Sequence, residues 1–250
     1  MDTRFSALLE RLRAIGPLTV AFSGGVDSTL LAFAASQALG SEALAVTVAT
    51  EFTPGRDLEQ ARDKARTLRL THRVLELSVL ADPQVCANGP RRCYHCKRLI
   101  MSTLSARFPG RPLAEGTNAD DDPARPGLAA LAELGVLSPL ADCGLAKAEV
   151  RELSRDLGLP GWDEPSNSCL ATRQPPDTII TRAELTRVEA MEQALRGLGL
   201  RDIRARNQGV RLRLEVPAGD LEYAENMLPD IRPRAATLGF ATVVLARRNS

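Results

Sequence analysis

The sequence predicts an α/β protein, a parallel sheet covered on both faces, followed by a second, smaller α+β domain. Three observations predict it. Through the first half, short apolar runs bounded by turn residues alternate with helix-periodic segments, the rhythm of βα units. Between Leu159 and Pro176 that rhythm stops, where Pro160, Gly161, Pro165, Ser166, Asn167, Ser168, Pro175 and Pro176 crowd into a stretch that no regular element accommodates. Beyond it, a helix, two strand-like runs, a second helix and a closing strand follow within about 75 residues, which sets the expected domains at 1–175 and 176–250.

The elements follow in order. Leu18 to Phe22 reads as a buried strand, Ser28 to Leu39 as a helix ended by Gly40, Leu44 to Ala49 as a strand, Leu58 to Leu70 as a helix and Arg73 to Leu77 as a strand. Lys97 to Phe108 reads as a helix, Pro112 to Glu115 and Val136 to Leu140 as strands, and Lys147 to Leu157 as an amphipathic helix closed by Gly158. After the irregular stretch, Thr181 caps a helix to Leu198, with Glu184 completing a capping box. Ile203 to Arg206, Val210 to Val216 and Ala241 to Ala246 read as strands, and Asp220 to Met227 as a helix.

Composition narrows the function classes. A chain of 250 residues buries a sizeable core without disulfide staples, and five cysteines, an odd number, do not form a disulfide framework. The amino-terminal MDTRFSALLERLRAIG is an amphipathic helix pattern, so the expected compartment is reducing cytosol. No apolar run approaches the roughly 20 residues that span a bilayer. The net charge is +1, with acids interspersed among the arginines, which speaks against a dedicated nucleic-acid-binding module.

The most specific chemical signal is AFSGGVDST, Ala21 to Thr29, where the first strand meets its helix. Gly24 and Gly25 let the backbone approach an oxyanion, Ser23 and Ser28 offer hydroxyls, and the helix-opening amides point to the same place. Asp27 adds a carboxylate suited to a magnesium ion shared with phosphate oxygens. Neither Gly-x-x-x-x-Gly-Lys nor Gly-x-Gly-x-x-Gly is present at this strand. EGTNADD, Glu115 to Asp121, follows a strand and so emerges at the carboxyl edge of the sheet, where open α/β folds bind ligands. Gly116 and Asn118 there allow close approach to a nucleotide, and Asp120 or Asp121 could assist a metal.

RRCYHCK, Arg91 to Lys97, sets Cys93 and Cys96 about one helical turn apart with no second ligand pair nearby. The irregular stretch holds Cys169, in PSNSCLATR; folded back over the sheet edge, it would bring three thiols together. Three thiolates are too few for a closed structural zinc site, but they can hold an iron-sulfur cluster with one open iron, or one reacting sulfur between two helpers. Cys86 and Cys143 have no motif around them and read as small core residues.

Ser-Gly-Gly-Val-Asp-Ser in this setting closely resembles the loop of the PP-loop ATP pyrophosphatases, whose domain is Rossmann-like, of the adenine nucleotide alpha hydrolase type. That resemblance implies cleavage of ATP between its first and second phosphates, pyrophosphate being cradled by Ser23, Gly24, Gly25, Asp27 and Ser28, and adenine held by backbone groups of Ala49 and Thr50. The ordered pieces SGGVDST, RCYHCK, EGTNADD, RPGL, SPL, KAEVRELSRDLGLP, PSNSCLATR and TIIT, spanning about residues 18 to 181, resemble one subfamily more narrowly. These are the ATP-dependent sulfur transferases, of the LarE type, that build the nickel-pincer nucleotide cofactor of lactate racemase.

The resemblance implies an anionic substrate, pyridinium-3,5-biscarboxylic acid mononucleotide, adenylated on a carboxylate and then attacked by sulfur. The sulfur would come from Cys169 itself, left as dehydroalanine, or from a 4Fe-4S cluster on Cys93, Cys96 and Cys169. Lys97 and Arg173 would steady AMP or pyrophosphate charge. Arg204 and Arg206, two apart and so on one strand face, match paired arginines implicated in holding substrate phosphate. Family resemblance also implies a homo-oligomer. A PP-loop enzyme thiolating tRNA would share Asp27 and the three cysteines but would be expected to carry a basic RNA-binding module. An iron-sulfur or zinc carrier with a regulatory nucleotide loop is the non-enzymatic alternative.

Overall fold

A computed structural model of the protein describes residues 2–165 and 167–248. In chain order it contains α1 (Thr3–Ile15), β1 (Leu18–Ala21), α2 (Val26–Leu39), β2 (Ala43–Ala49), α3 (Gly55–Thr67), β3 (His72–Glu76), α4 (Pro83–Cys86) and α5 (Arg92–Arg107). Then follow β4 (Leu113–Ala114), α6 (Pro126–Glu133), α7 (Pro139–Asp142), α8 (Lys147–Asp156) and a 3-10 turn at Leu170–Arg173. The chain continues with α9 (Arg182–Gly197), β5 (Arg204–Gln208), β6 (Arg211–Val216), α10 (Leu221–Asn226), α11 (Leu228–Thr237) and β7 (Thr242–Arg247).

Two compact units result. The first joins the residues up to Val79 with Cys93–Asn167, and the second joins Leu80–Arg92 with the residues from Ser168 onward. The segment Ser168–Pro175 therefore packs with the second unit.

The first unit is built on a parallel sheet in the order β3-β2-β1-β4. Strand alternation divides its side chains between two faces. Leu18 and Val20 of β1 with Ala43 and Ala45 of β2 join the core formed with α1, α2, α3 and α8. Leu44 and Val46 turn the other way, toward Met101 and Leu104 of α5, Leu113 of β4 and Leu131 of α6. Both faces are thus buried, as a parallel sheet requires.

The predicted strand Val136–Leu140 is a correction. Only Leu137 bridges Ala114, and the chain then enters α7 at Pro139, whose missing N–H suits a first helical turn rather than a ladder. The helix predicted from Lys97 begins at Arg92, so the cysteine pair lies inside its first turns.

The second unit pairs β5 with β6 antiparallel and β6 with β7 parallel, in the order β5-β6-β7. The parallel step needs a crossover, which α10 and α11 supply. Leu185, Val188, Met191 and Leu195 recur at helical spacing along α9, each at most 2 % exposed. Thr181 caps this helix as expected, accepting from the Glu184 N–H while Glu184 reaches back to the Thr181 N–H.

Candidate functional site

β1 ends at the first unit's carboxyl edge, and Ser23, Gly24 and Gly25 turn the chain into α2. Gly24 has φ +77°, and a Cβ there would stand 2.9 Å from the Ala61 Cα of α3, so only glycine fits. Gly25 caps α2 without a side-chain bond, which leaves the opening amides directed at whatever anion approaches. The Ser28 hydroxyl donates to the Gly25 carbonyl at 3.0 Å and lies 3.0 Å from the Ser23 hydroxyl. The donor set, backbone amides plus two hydroxyls at a helix start, fits a phosphate chain.

β4 pairs with β1, so the EGTN segment emerges beside that loop. A Cβ on Gly116 would come within 2.9 Å of the Ser28 N and 3.1 Å of the Asp27 carbonyl carbon. Gly116 therefore lets the second loop pack on the phosphate loop itself. Glu115, buried, accepts from the Thr117 N–H at 2.8 Å and the Ser138 hydroxyl at 3.1 Å, which folds the segment into its turn. Asn118, 6 % exposed, donates its side-chain amide to Asp27 at 3.1 Å.

Lys147, at the start of α8, has a role that the sequence does not show. Its ammonium forms an ion pair with the Asp27 carboxylate. Its backbone N–H donates to Asp120 at 2.8 Å. The KAEVRELSRDLGLP motif carries this lysine, but the spacing of 120 residues hides the pairing. Asp120 and Asp121 hold the loop: Asp121 accepts from the Asn118 N–H and pairs with Arg125. Asp27 is the carboxylate at the cradle that remains suited to a magnesium ion, and its partners Lys147 and Asn118 can yield to a stronger cation.

Lys97 in α5 lies 3.6 Å from Glu115, which ties the cysteine-bearing helix to the EGTN segment. Cys93 is exposed and Cys96 half-buried on that helix. At the end of β2, the Thr50 N–H donates to the Thr53 hydroxyl and the Thr50 carbonyl accepts from the Thr53 N–H. The Ala49 carbonyl accepts from the Leu77 N–H. These backbone groups, expected to hold adenine, shape a turn.

In the second unit, Cys169 precedes the Leu170–Arg173 turn, and its carbonyl accepts from the Thr172 N–H and hydroxyl at 3.0 and 2.8 Å. Ser166 of the same motif lies outside the described residues. Arg173 is 1 % exposed, and its guanidinium donates to Glu192 at 2.8 Å and to the Ser168 carbonyl and hydroxyl. It therefore braces the cysteine turn, a different task from steadying a ligand's charge. Arg206 does likewise, bonded to the Thr172 carbonyl and to Glu215.

Arg204 stands apart: its side chain forms no hydrogen bond or ion pair with the described residues. Burial, then the positive charges of Arg248, Arg173 and Arg206, hold its guanidinium below the usual range, against a smaller pull from Glu215. A cation placed so gains from an anionic ligand. Cys143 packs half-buried against the first unit's core, and burial and Asp142 raise its thiol pKa. Cys86 is half-buried, its thiol 3.6 Å from the Pro83 carbonyl.

Among the described residues, no three His, Cys, Asp or Glu side chains are gathered as a metal site would need. Nor does any helix among them have the length and apolarity to cross a membrane.

The asparagine synthase family model matches residues 6–103, the part of the chain that carries the phosphate loop and the cysteine pair. The chain is 38 % identical over 232 residues to the uncharacterized protein slr1717 of Synechocystis, covering 89 % of this chain and 84 % of that one. It is 29 % identical over 250 residues to the pyridinium-3,5-bisthiocarboxylic acid mononucleotide synthase of Lactiplantibacillus plantarum, covering 98 % and 91 %. The chain belongs to the LarE-type family of PP-loop proteins. Another relative, uncharacterized protein MJ0830 of Methanocaldococcus jannaschii, is 28 % identical over 232 residues, covering 91 % and 88 %. In this LarE-type chain the PP-loop is Ser23 to Ser28, and its acidic residue, Asp27, is held between Asn118 and Lys147.

Proposed function

We propose that the protein is an ATP-dependent sulfur transferase that converts a carboxylate of pyridinium-3,5-biscarboxylic acid mononucleotide into a thiocarboxylate. The observation that carries the reading is the near-full-length likeness to the synthase of Lactiplantibacillus plantarum, joined to a phosphate cradle with an acidic residue at its centre. ATP-using chemistry follows from the family; the substrate and the sulfur step are the proposal.

In this reading the Ser23 to Ser28 loop binds the β- and γ-phosphates, and the substrate carboxylate attacks the α-phosphorus as the bond to the bridging oxygen breaks. Magnesium, held by Asp27, would neutralise charge building on the departing pyrophosphate. Lys147, released from Asp27, supplies a second cation to the same phosphates. The Arg204 guanidinium binds the substrate phosphate, with Arg206 shaping the site beside it. The Cys169 thiolate then attacks the acyl carbon and AMP leaves with the C–O electrons. Loss of the Cys169 Cα proton with cleavage of its Cβ–S bond releases the thiocarboxylate and leaves dehydroalanine. Assembly of several copies belongs to this reading as well. A 4Fe-4S cluster on Cys93, Cys96 and Cys169 is the other sulfur source this reading allows.

The test is a single-turnover reaction with ATP, magnesium and the pyridinium substrate. Pyrophosphate and AMP should appear, the chain should lose the mass of one hydrogen sulfide, and Asp27→Asn should abolish pyrophosphate release while the fold persists. Absence of pyrophosphate from the wild-type protein would sink the proposal. About four irons per anaerobically purified chain, with unchanged mass after turnover, would move the sulfur source to a cluster on Cys93, Cys96 and Cys169.

A further inference from the structure

Lys64 is an unusual presence beneath the phosphate loop. It lies on α3, is 6 % exposed, and its ammonium donates to the Gly24 carbonyl at 2.9 Å and to the Glu164 carboxylate at 2.5 Å. Taking an ammonium out of water is costly unless it is paired and hydrogen-bonded. The site is built to hold it. Gly161, with φ +80°, passes so close that a Cβ would sit 2.3 Å from the Lys64 nitrogen and 2.8 Å from Glu164. Arg151 donates to the Trp162 and Glu164 carbonyls at 2.5 and 2.8 Å, and Asn167 donates to Asp57 of α3 at 2.7 Å. The segment carrying Glu164 is therefore fastened to the same unit at several points.

The consequence lies in peptide geometry. In a trans peptide the C=O of one residue and the N–H of the next point in opposite directions. With the Gly24 carbonyl held by Lys64, the Gly25 N–H faces the other way, toward the Ser23 hydroxyl at 3.4 Å, into the cradle. Gly24 is conformationally free at φ +77°, so something must select one orientation of this peptide. Ala61, one helical turn before Lys64, closes the space beneath it, and the ammonium supplies the direction. A cation on the carbonyl also polarises the peptide and strengthens its N–H as a donor.

Resting on the nucleotide reading above, we propose that Lys64 is a positioning residue for pyrophosphate: through the Gly24 carbonyl it aims the Gly25 amide at the β- and γ-phosphates, and Glu164 holds it there. It touches no ligand. Its effect should therefore be selective for ligands that carry those phosphates.

Calorimetric titration of the whole protein with inorganic pyrophosphate and, separately, with AMP tests this. Lys64→Met should weaken pyrophosphate binding about tenfold or more, the worth of one charge-supported hydrogen bond, while AMP affinity stays within about twofold. Glu164→Ala, at the more exposed end of the pair, should show the same selectivity at about threefold, and Glu164→Gln, which keeps an acceptor for the ammonium, less. Unchanged pyrophosphate affinity in Lys64→Met, or equal loss for both ligands in the two truncations with a lowered melting temperature, would overturn the proposal. Wild-type protein that binds neither ligand would instead overturn the nucleotide reading, and this inference with it.

Discussion

Asp27 is useful at the cradle because three neighbours decide its place. Asn118 donates to one carboxylate oxygen, Lys147 pairs with the other, and Gly116 brings the second loop within contact of the Asp27 and Ser28 backbone. The last of these is the most sensitive to change. In Gly116→Ala the added methyl meets backbone atoms at 2.9 and 3.1 Å that cannot swing aside, so the two loops must separate. We expect a loss of about 1–3 kcal/mol in unfolding free energy, read by urea titration, and a fall in ATP affinity larger than that from Gly89→Ala. Gly89 has only the Asp177 side chain nearby, at 3.8 Å. At Arg173 the same scale carries a different lesson: arginine beside a cysteine suggests ligand binding, yet its bonds to Glu192 and Ser168 make it a brace.

At the scale of elements, legibility follows how local the signal is. The Thr181–Glu184 capping box is written within four residues and is formed as read. Thr181→Ala should remove about 1 kcal/mol and lower the melting temperature of the protein by about 2–4 °C, with nucleotide affinity unaffected. By contrast, α11 is not legible in the sequence, because Pro229 and Pro233 argue against a helix. Pro229 stands in the first turn, where its missing N–H costs nothing, and complete burial of Ile231 and Ala235 outweighs the local penalty at Pro233. The early start of α5, five residues before Lys97, rests on tertiary contacts, the burial of Tyr94 and its 2.6 Å bond to Glu133.

At the scale of the molecule, the chain resolves into two units with their own sheets, and the nucleotide cradle belongs wholly to the first. The stability of that unit should carry an acid-side dependence through His72 of β3. Burial, and then the charge of Arg62, lower its pKa below the ordinary 6.5. The unfolded chain therefore binds a proton that the folded chain resists. Stability from this group is present above about pH 6.5 and is lost as pH falls from there toward the depressed folded value. Melting temperatures measured between pH 7.5 and 5 should fall more steeply in the wild type than in His72→Asn. Parallel curves would show that the imidazole, which contacts the Thr47 hydroxyl at 2.8 Å, contributes no such linkage.

The sequence by itself determined the phosphate loop, the parallel α/β character of the first half, the capping of α9 and the shared face of Arg204 and Arg206. Each depends on backbone preferences or side-chain periodicity within a few residues, so adjacent letters suffice. Tertiary structure alone decided that Lys147 meets Asp27 and that Lys64 holds the Gly24 carbonyl against Glu164. Those outcomes depend on the order of strands in the sheet, β4 against β1 and α3 beneath the loop, which brings together groups 40 to 120 residues apart. Charges find one another through space, and the spacing of residues along the chain carries no record of it.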